Sequence, residues 1–178
     1  ALAERLDSSG LVADAATRLA HVLLVHTGEF QRGLELAQRA YEAARTGSNA
    51  LALSQAVWQL STIALLLQDT EGALRWAEPY TDAATRSGIL RDQLNSLLNL
   101  AWAIMLLGDA TRALSNLETA QQMARKGGLE LGRLPGPAVS VPGLLAFLLG
   151  DWDRAEAEFL RYLDHANELH ISVNRHAA

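Results

Sequence analysis

One turn is written four times along the chain. It reads Val25-His26-Thr27-Gly28-Glu29-Phe30, then Leu66-Leu67-Gln68-Asp69-Thr70, then Leu106-Leu107-Gly108-Asp109-Ala110, then Leu148-Leu149-Gly150-Asp151-Trp152. Positions 28, 68, 108 and 150 anchor the copies, so the steps are 40, 40 and 42 residues. Each copy leads from an apolar segment into an Ala/Leu-rich one, the sequence pattern of a helix pair closed by a tight turn. A single pair cannot bury its apolar stripes. Stacking on neighbours buries one continuous core, so this spacing predicts a quasi-one-dimensional array of pairs.

The chain has 178 residues, enough for one short array, and 49% of them are hydrophobic, so a core can be built. No apolar run approaches the roughly 18 residues of a membrane helix, and no signal-peptide pattern opens the chain. Cysteine is absent, which excludes disulfides, a thiolate nucleophile and a cysteine zinc site. A cytoplasmic protein that makes no membrane contact is the simplest reading. The net charge is −5 and the basic residues are scattered. Phosphate neutralisation supplies most nucleic-acid affinity, so direct nucleic-acid binding is disfavoured.

Taken in order, Ala1–Gly10 reads as the tail of a preceding helix. Leu11–Thr27 reads as the first helix of a pair, with Leu11, Ala15, Leu19, Val22 and Leu23 at helical spacing. Its partner is Phe30–Arg45, stopped by Gly47. Ser48 or Asn49 caps Ala50–Leu67, and Glu71–Arg86 follows, with Pro79 expected to kink or unwind it. Arg91–Leu107 and Ala110–Lys126 form the third pair, closed by Gly127-Gly128. In the fourth, Gly132–Pro137 cannot be regular helix, and the helix starts at Pro137 or only at Pro142. Trp152–Leu169 ends the series, with Trp152, Ala155, Phe159, Tyr162, Leu163 and Ala166 as its stripe. The units are therefore about 11–47, 50–88, 90–128 and 137–169, in a single domain covering 1–178. Neither end carries a polar cap, so the sequence reads as a piece of a longer protein.

Superposing the units gives the physical logic. Five residues past the anchor stand Gly33, Ala73, Ala113 and Ala155, and sixteen past it Ala44, Ala84, Ala124 and Ala166. Small residues there let helices approach closely. One past the anchor is always acidic, at Glu29, Asp69, Asp109 and Asp151. An acid at a helix N-terminus can accept from an orphan amide and meets the positive end of the dipole, for about 0.5–2 kcal/mol.

These positions resemble the tetratricopeptide repeat. Gly150-Asp151-Trp152-Asp153-Arg154-Ala155 with Phe159 is the closest match, and Gly28-Glu29-Phe30 is next. The units are about 40 residues against the family's 34. Longer units of this kind, rich in Ala, Leu and Arg with LLGD turns, are similar to the sensor arrays of large bacterial LuxR-type regulators related to the maltose activator. In those proteins a signalling ATPase precedes the array and a helix-turn-helix follows; this segment holds neither a GxxxxGK[ST] phosphate loop nor a DNA-binding module. The resemblance implies an all-α fold, an α-solenoid of about four antiparallel helix pairs in a right-handed superhelix. It further implies a non-enzymatic recognition module of a transcriptional regulator, without a cofactor, that binds a protein, a peptide or a small effector on the concave face lined by first helices.

Carried over residue by residue, the groove positions are Arg18 and Val22 in the first unit, and Gln55, Trp58 and Thr62 in the second. The third supplies Asn95, Leu98, Trp102 and Met105, and the fourth Ser140 and Phe147. Tryptophans beside amides and an arginine suit stacking plus directional hydrogen bonds. Trp58 and Trp102 could equally be inter-repeat core, and periodicity leaves both facings open. Trp76 and Trp152, on second helices, read as structural.

Signals for chemistry are weak. His21/His26 and His165/His170 are five apart, on different faces of a helix, where a zinc pair prefers three or four; His176 stands alone. GxSxG is absent, and Gly127–Gly132 follows a helix rather than a strand, so it reads as a helix terminator. The break at 132–142 is a functional loop or drift in a terminal unit. The alternatives to an effector-binding module are a generic protein scaffold and a helical enzyme. Self-association through uncapped ends is a further expectation.

Overall fold

A computed structural model describes residues 9–46, 49–131 and 140–168. All regular structure among them is helical. Helix α1 (Ser9–Val22) runs into a π-helical turn, Leu23–Thr27. Then come α2 (Phe30–Arg45), α3 (Ala50–Leu66), α4 (Thr70–Ser87), α5 (Leu90–Leu106), α6 (Ala110–Lys126), α7 (Val141–Leu148) and α8 (Trp152–Glu168). Each odd helix packs on the even helix that follows, as four antiparallel pairs. Each pair also packs on the next, through α2 on α3, α4 on α5 and α6 on α7. The first helices touch one another in sequence, α1 on α3, α3 on α5, α5 on α7. The result is an all-α stack of helix pairs in which α3 and α5 are enclosed on most sides, α3 with few exposed residues before its last turn.

The anchors owe their recurrence to backbone geometry. Gly28, Gln68, Gly108 and Gly150 all have positive φ, at 69°, 55°, 83° and 78°. A residue in this left-handed region ends one helix and turns the chain into the next. The acid after it caps the following helix in three units. Asp69 accepts from the Gly72 amide at 2.9 Å, Asp109 from Arg112 at 3.0 Å, and Asp151 from Arg154 at 3.3 Å. Glu29 does not: its side chain makes no cap bond, and its longer carboxylate lies 3.3 Å from Arg32 instead. For α3 the cap is Asn49, accepting from Ala52 at 3.1 Å.

The small positions are buried where close approach needs them. Ala73, Ala113 and Ala155 face neighbouring helices, as do Ala44, Ala84 and Ala124. A Cβ on Gly33 would stand 2.8 Å from Leu24 Cγ, so here even alanine is too large.

Several expectations are corrected. The stripe assigned to the first helix is largely outside: Leu11, Ala15, Leu19 and Val22 are exposed. The buried face carries Ala13, Thr17 and Ala20, with Leu23 and Leu24 following. Small residues let α1 sit close to α2 and α3, and the larger ones are left exposed. The last turn of α1 widens to π geometry, with the Gly28 amide donating to the Leu23 carbonyl. Ser9 and Gly10 belong to α1 rather than to an earlier helix. Helix α4 stays continuous through Pro79, so it is not unwound. The proline removes the amide that the Arg75 carbonyl would accept, and Arg75 is exposed, where water can replace it. The fourth unit's first helix begins only at Val141, with Pro142 in its first turn. Trp152 is exposed and meets Phe147 edge-on at 4.8 Å, rather than serving as core, whereas Trp76 packs edge-on against Tyr41 at 5.0 Å. Gly47, Ser48, Pro135, Pro137 and the chain beyond Glu168 lie outside the described residues.

The largest apolar cluster joins α5, α6 and α7 through Leu94, Leu98, Ile104, Leu117, Val141 and Leu145. Across α3 and α5 the packing is partly polar. Ser54 Oγ donates to Asp92 Oδ2 at 3.3 Å, and Asn99 Nδ2 donates to Ser61 Oγ at 3.3 Å. Both pairs join residues 38 apart, so the two first helices run parallel.

Candidate functional site

Three first helices enclose a cavity of about 500 Å³. α1 presents Asp14, Thr17, Arg18, His21 and Val22 to it, spaced so that successive turns of one face point the same way. α3 presents Ser54, Gln55, Trp58 and Gln59, again two turns of one face. The first turns of α5 add Arg91, Asp92 and Asn95, and Tyr80 reaches in from α4. The size falls within the usual range for small-molecule sites.

The rim is exposed and its charges are paired. Arg18 Nε lies 2.9 Å from Asp14 Oδ2, both side chains well exposed. Deeper in, the side chains are buried and polar. Asp92 is 6% exposed and is the only buried charged side chain among the described residues. Its neighbours are the Ser54 hydroxyl at 3.3 Å and Arg91 Nε at 3.7 Å. Thr17 and Asn95 are each buried, and Thr17 Oγ1 and Asn95 Oδ1 find no hydrogen-bond partner among the described residues. Tyr80 is buried too, and burial first, then the negative Asp92, push its phenol well above the usual tyrosine range; Arg91 opposes the shift. Its hydroxyl therefore stays neutral and remains able to donate. One wall is aromatic: His21 stacks on Trp58 with ring centroids 5.8 Å apart and planes inclined by 27°.

Of the residues expected to line a groove, Arg18, Val22, Gln55, Trp58 and Asn95 meet in this cavity. Trp58 is half-buried, with one part against Val57, Tyr80 and Ala84 and another on the cavity wall. It is thus both core and lining. The others lie elsewhere. Thr62 is buried one turn further along α3, its hydroxyl without a partner among the described residues. Trp102 is half-buried against Ala64, Leu65, Ala73 and Ala103, so it packs between units rather than in a groove. Met105 and Leu98 belong to the apolar core of α5, α6 and α7. Phe147 is exposed and Ser140 half-buried at the start of α7, both remote in the chain from the cavity helices.

Sequence reasoning passed over Asp14, Thr17, Ser54, Gln59, Tyr80, Arg91 and Asp92. The family groove positions recur every 40 residues, whereas Ser54 and Asp92 meet at 38. Their signal was the placing of polar residues among apolar ones in α3 and α5. Tyr80 had none, because it stands on a second helix. Among the described residues no group of three or more His, Cys, Asp or Glu could hold a metal ion, and no helix is long and apolar enough to cross a membrane. The side chains of His26 and His165, and all of His170 and His176, lie outside the described residues.

No protein-family model matches this chain, and no curated protein matches it either.

Proposed function

We propose that the chain is a non-enzymatic recognition module that takes a small effector between its first helices. The observation that carries this reading is the cavity of about 500 Å³, where Trp58 forms a wall and buried polar side chains form a floor. An apolar wall with a few convergent polar groups is the usual make-up of a small-molecule site. The likeness of the LLGD-type units to regulator sensor arrays supports the finer statement: a sensor segment of a cytoplasmic bacterial LuxR-type regulator. On that reading the gene product encodes a phosphate-loop ATPase ahead of this segment and a helix-turn-helix after it.

The test is a thermal-shift screen of the chain against a metabolite panel, repeated with Trp58→Ala and Trp102→Ala. A ligand that raises the melting temperature of the parent should lose at least tenfold in affinity with Trp58→Ala. With Trp102→Ala it should keep its affinity in the folded protein. A ligand indifferent to Trp58→Ala in a folded variant would place binding elsewhere.

A second reading, a protein-binding scaffold, is favoured by the apolar residues that flank the turns. Leu66, Leu67, Leu106, Leu107, Leu148 and Leu149 are all exposed. Pull-down of a partner by the parent chain, lost on exchanging Leu67 and Leu107 for Gln and kept in Trp58→Ala, would establish the scaffold instead.

A further inference from the structure

The floor of the cavity is lopsided in its hydrogen-bonding chemistry. Asn95 Oδ1 accepts and has no donor facing it among the described residues, and Asn95 is 5% exposed. Thr17 Oγ1, on the opposite helix α1, is equally buried and equally unpartnered there. Between them in chemistry stands the Asp92 carboxylate, which has room for about four hydrogen bonds. One comes from Ser54 at 3.3 Å, and Arg91 Nε stays at 3.7 Å, beyond good hydrogen-bond length. The floor therefore holds one buried negative charge, at Asp92, with the Arg91 guanidinium 3.7 Å away and the Tyr80 hydroxyl able to donate.

Arginines at the rim do not cancel this. Arg18 and Arg91 are more than half exposed, and each is already paired, Arg18 with Asp14 and Arg91 with Asp92 at 3.7 Å. Exposed charges act through water and are worth little, whereas a charge in a low-dielectric interior acts several-fold more strongly at the same distance. The buried Asp92 decides the sign. Trp58 beside it offers an indole, whose face attracts a cation and packs a flat apolar body.

We infer that the cavity selects an organic ammonium: a protonated amine seated on Asp92, beside Asn95 and Thr17, with a flat apolar body against Trp58. This rests on the small-effector reading above and names the chemical class of its ligand. The ammonium would bring donors and an opposite charge to the Asp92 carboxylate. A carboxylate of the same shape would meet Asp92 with like charge.

The experiment uses three probes that share one body: naphthylethylammonium, naphthylethanol and naphthylpropionate. Each is titrated calorimetrically into the 178-residue chain at pH 7. The ammonium is expected to bind at least tenfold more tightly than the alcohol, and the carboxylate more weakly than either. Asp92→Asn keeps the shape of the side chain and removes its charge. It should bring the ammonium to within threefold of the alcohol, while Trp58→Leu weakens all three probes alike. Should Asp92→Asn fail to fold, the ranking in the parent chain still decides.

Equal or tighter binding of the carboxylate would overturn the inference. So would an unchanged ranking in folded Asp92→Asn, or binding of none of the three to the folded parent. In that last case a metabolite whose affinity depends on Trp58 would still leave the recognition reading standing, so the two failures are distinguishable.

Discussion

At Gln68 the repeat keeps its geometry and changes its residue. Its φ of 55° matches the left-handed glycines at equivalent positions, yet it carries a Cβ. An L-residue there gives up about 1–2 kcal/mol relative to the right-handed region. Gln68→Gly should therefore raise stability by about 1 kcal/mol, less whatever the more flexible unfolded chain takes back. A Cβ at Gly108 would meet nothing within 4 Å, so Gly108→Ala should lower stability by about 1 kcal/mol through the backbone alone. Urea midpoints with an unchanged m-value would check both. Tyr80 gives a pH signature. Its phenol titrates higher in the folded chain than in the unfolded one, because burial and Asp92 disfavour the phenolate. Below pH about 10 the residue is neutral in both states and its contribution is fully present. As pH rises further only the unfolded state loses the proton, so stability falls, by up to about 1.4 kcal/mol per pH unit. Urea unfolding between pH 8 and pH 11 should show a shallower decline for Tyr80→Phe than for the parent.

Whole elements are set by a few such residues at their ends, and this is where sequence was most informative. The cap acids act on amides three residues away, so their effect is local and visible in the order of residues alone. Glu29 was the exception, since one extra methylene carries its carboxylate out to Arg32. Glu29→Asp should restore the cap and stabilise the chain by about 0.5–1 kcal/mol, whereas Asp109→Ala should cost about 1 kcal/mol. Thermal melts of the two variants against the parent would show shifts of opposite sign. The facing of α1 was not legible. Its apolar residues lie on both sides of the helix, and only neighbours decide which side is buried. Ala13 and Ala20 won that position because α2 and α3 approach closely there, and Leu11 and Leu19 were left outside. For the same reason Trp58 and Trp102 could not be told apart by spacing. One faces a gap between first helices and the other a filled one.

Across the molecule, stability should follow enclosure. α3 and α5 have neighbours on both sides and carry most of the fully buried side chains, whereas α8 exposes Leu160 and Leu163. Amide exchange should therefore be slowest in α3 and α5 and fastest in α8. Equal protection along the stack would mean that the units open together rather than from an end. Five of the eleven groove residues expected from the sequence do converge, because Arg18, Val22, Gln55, Trp58 and Asn95 sit on adjacent first helices. Their chemistry was hidden, since Asp92 enters through a pairing of 38 residues inside a 40-residue repeat. That mismatch has a mechanical meaning. Equivalent points on α3 and α5 are offset by two residues, about 3 Å along the axes at the α-helical rise. Apolar contacts carry no directional requirement of their own, whereas hydrogen bonds do. Advancing α5 by one turn would set Ser61 against Ala103 and pull Ser54 off Asp92. The two polar pairs act as detents on a slide, latching the helices at one offset, and Ser54 and Asp92 belong to the cavity floor. Whatever enters there meets a base of fixed height, held by shear resistance rather than by grip.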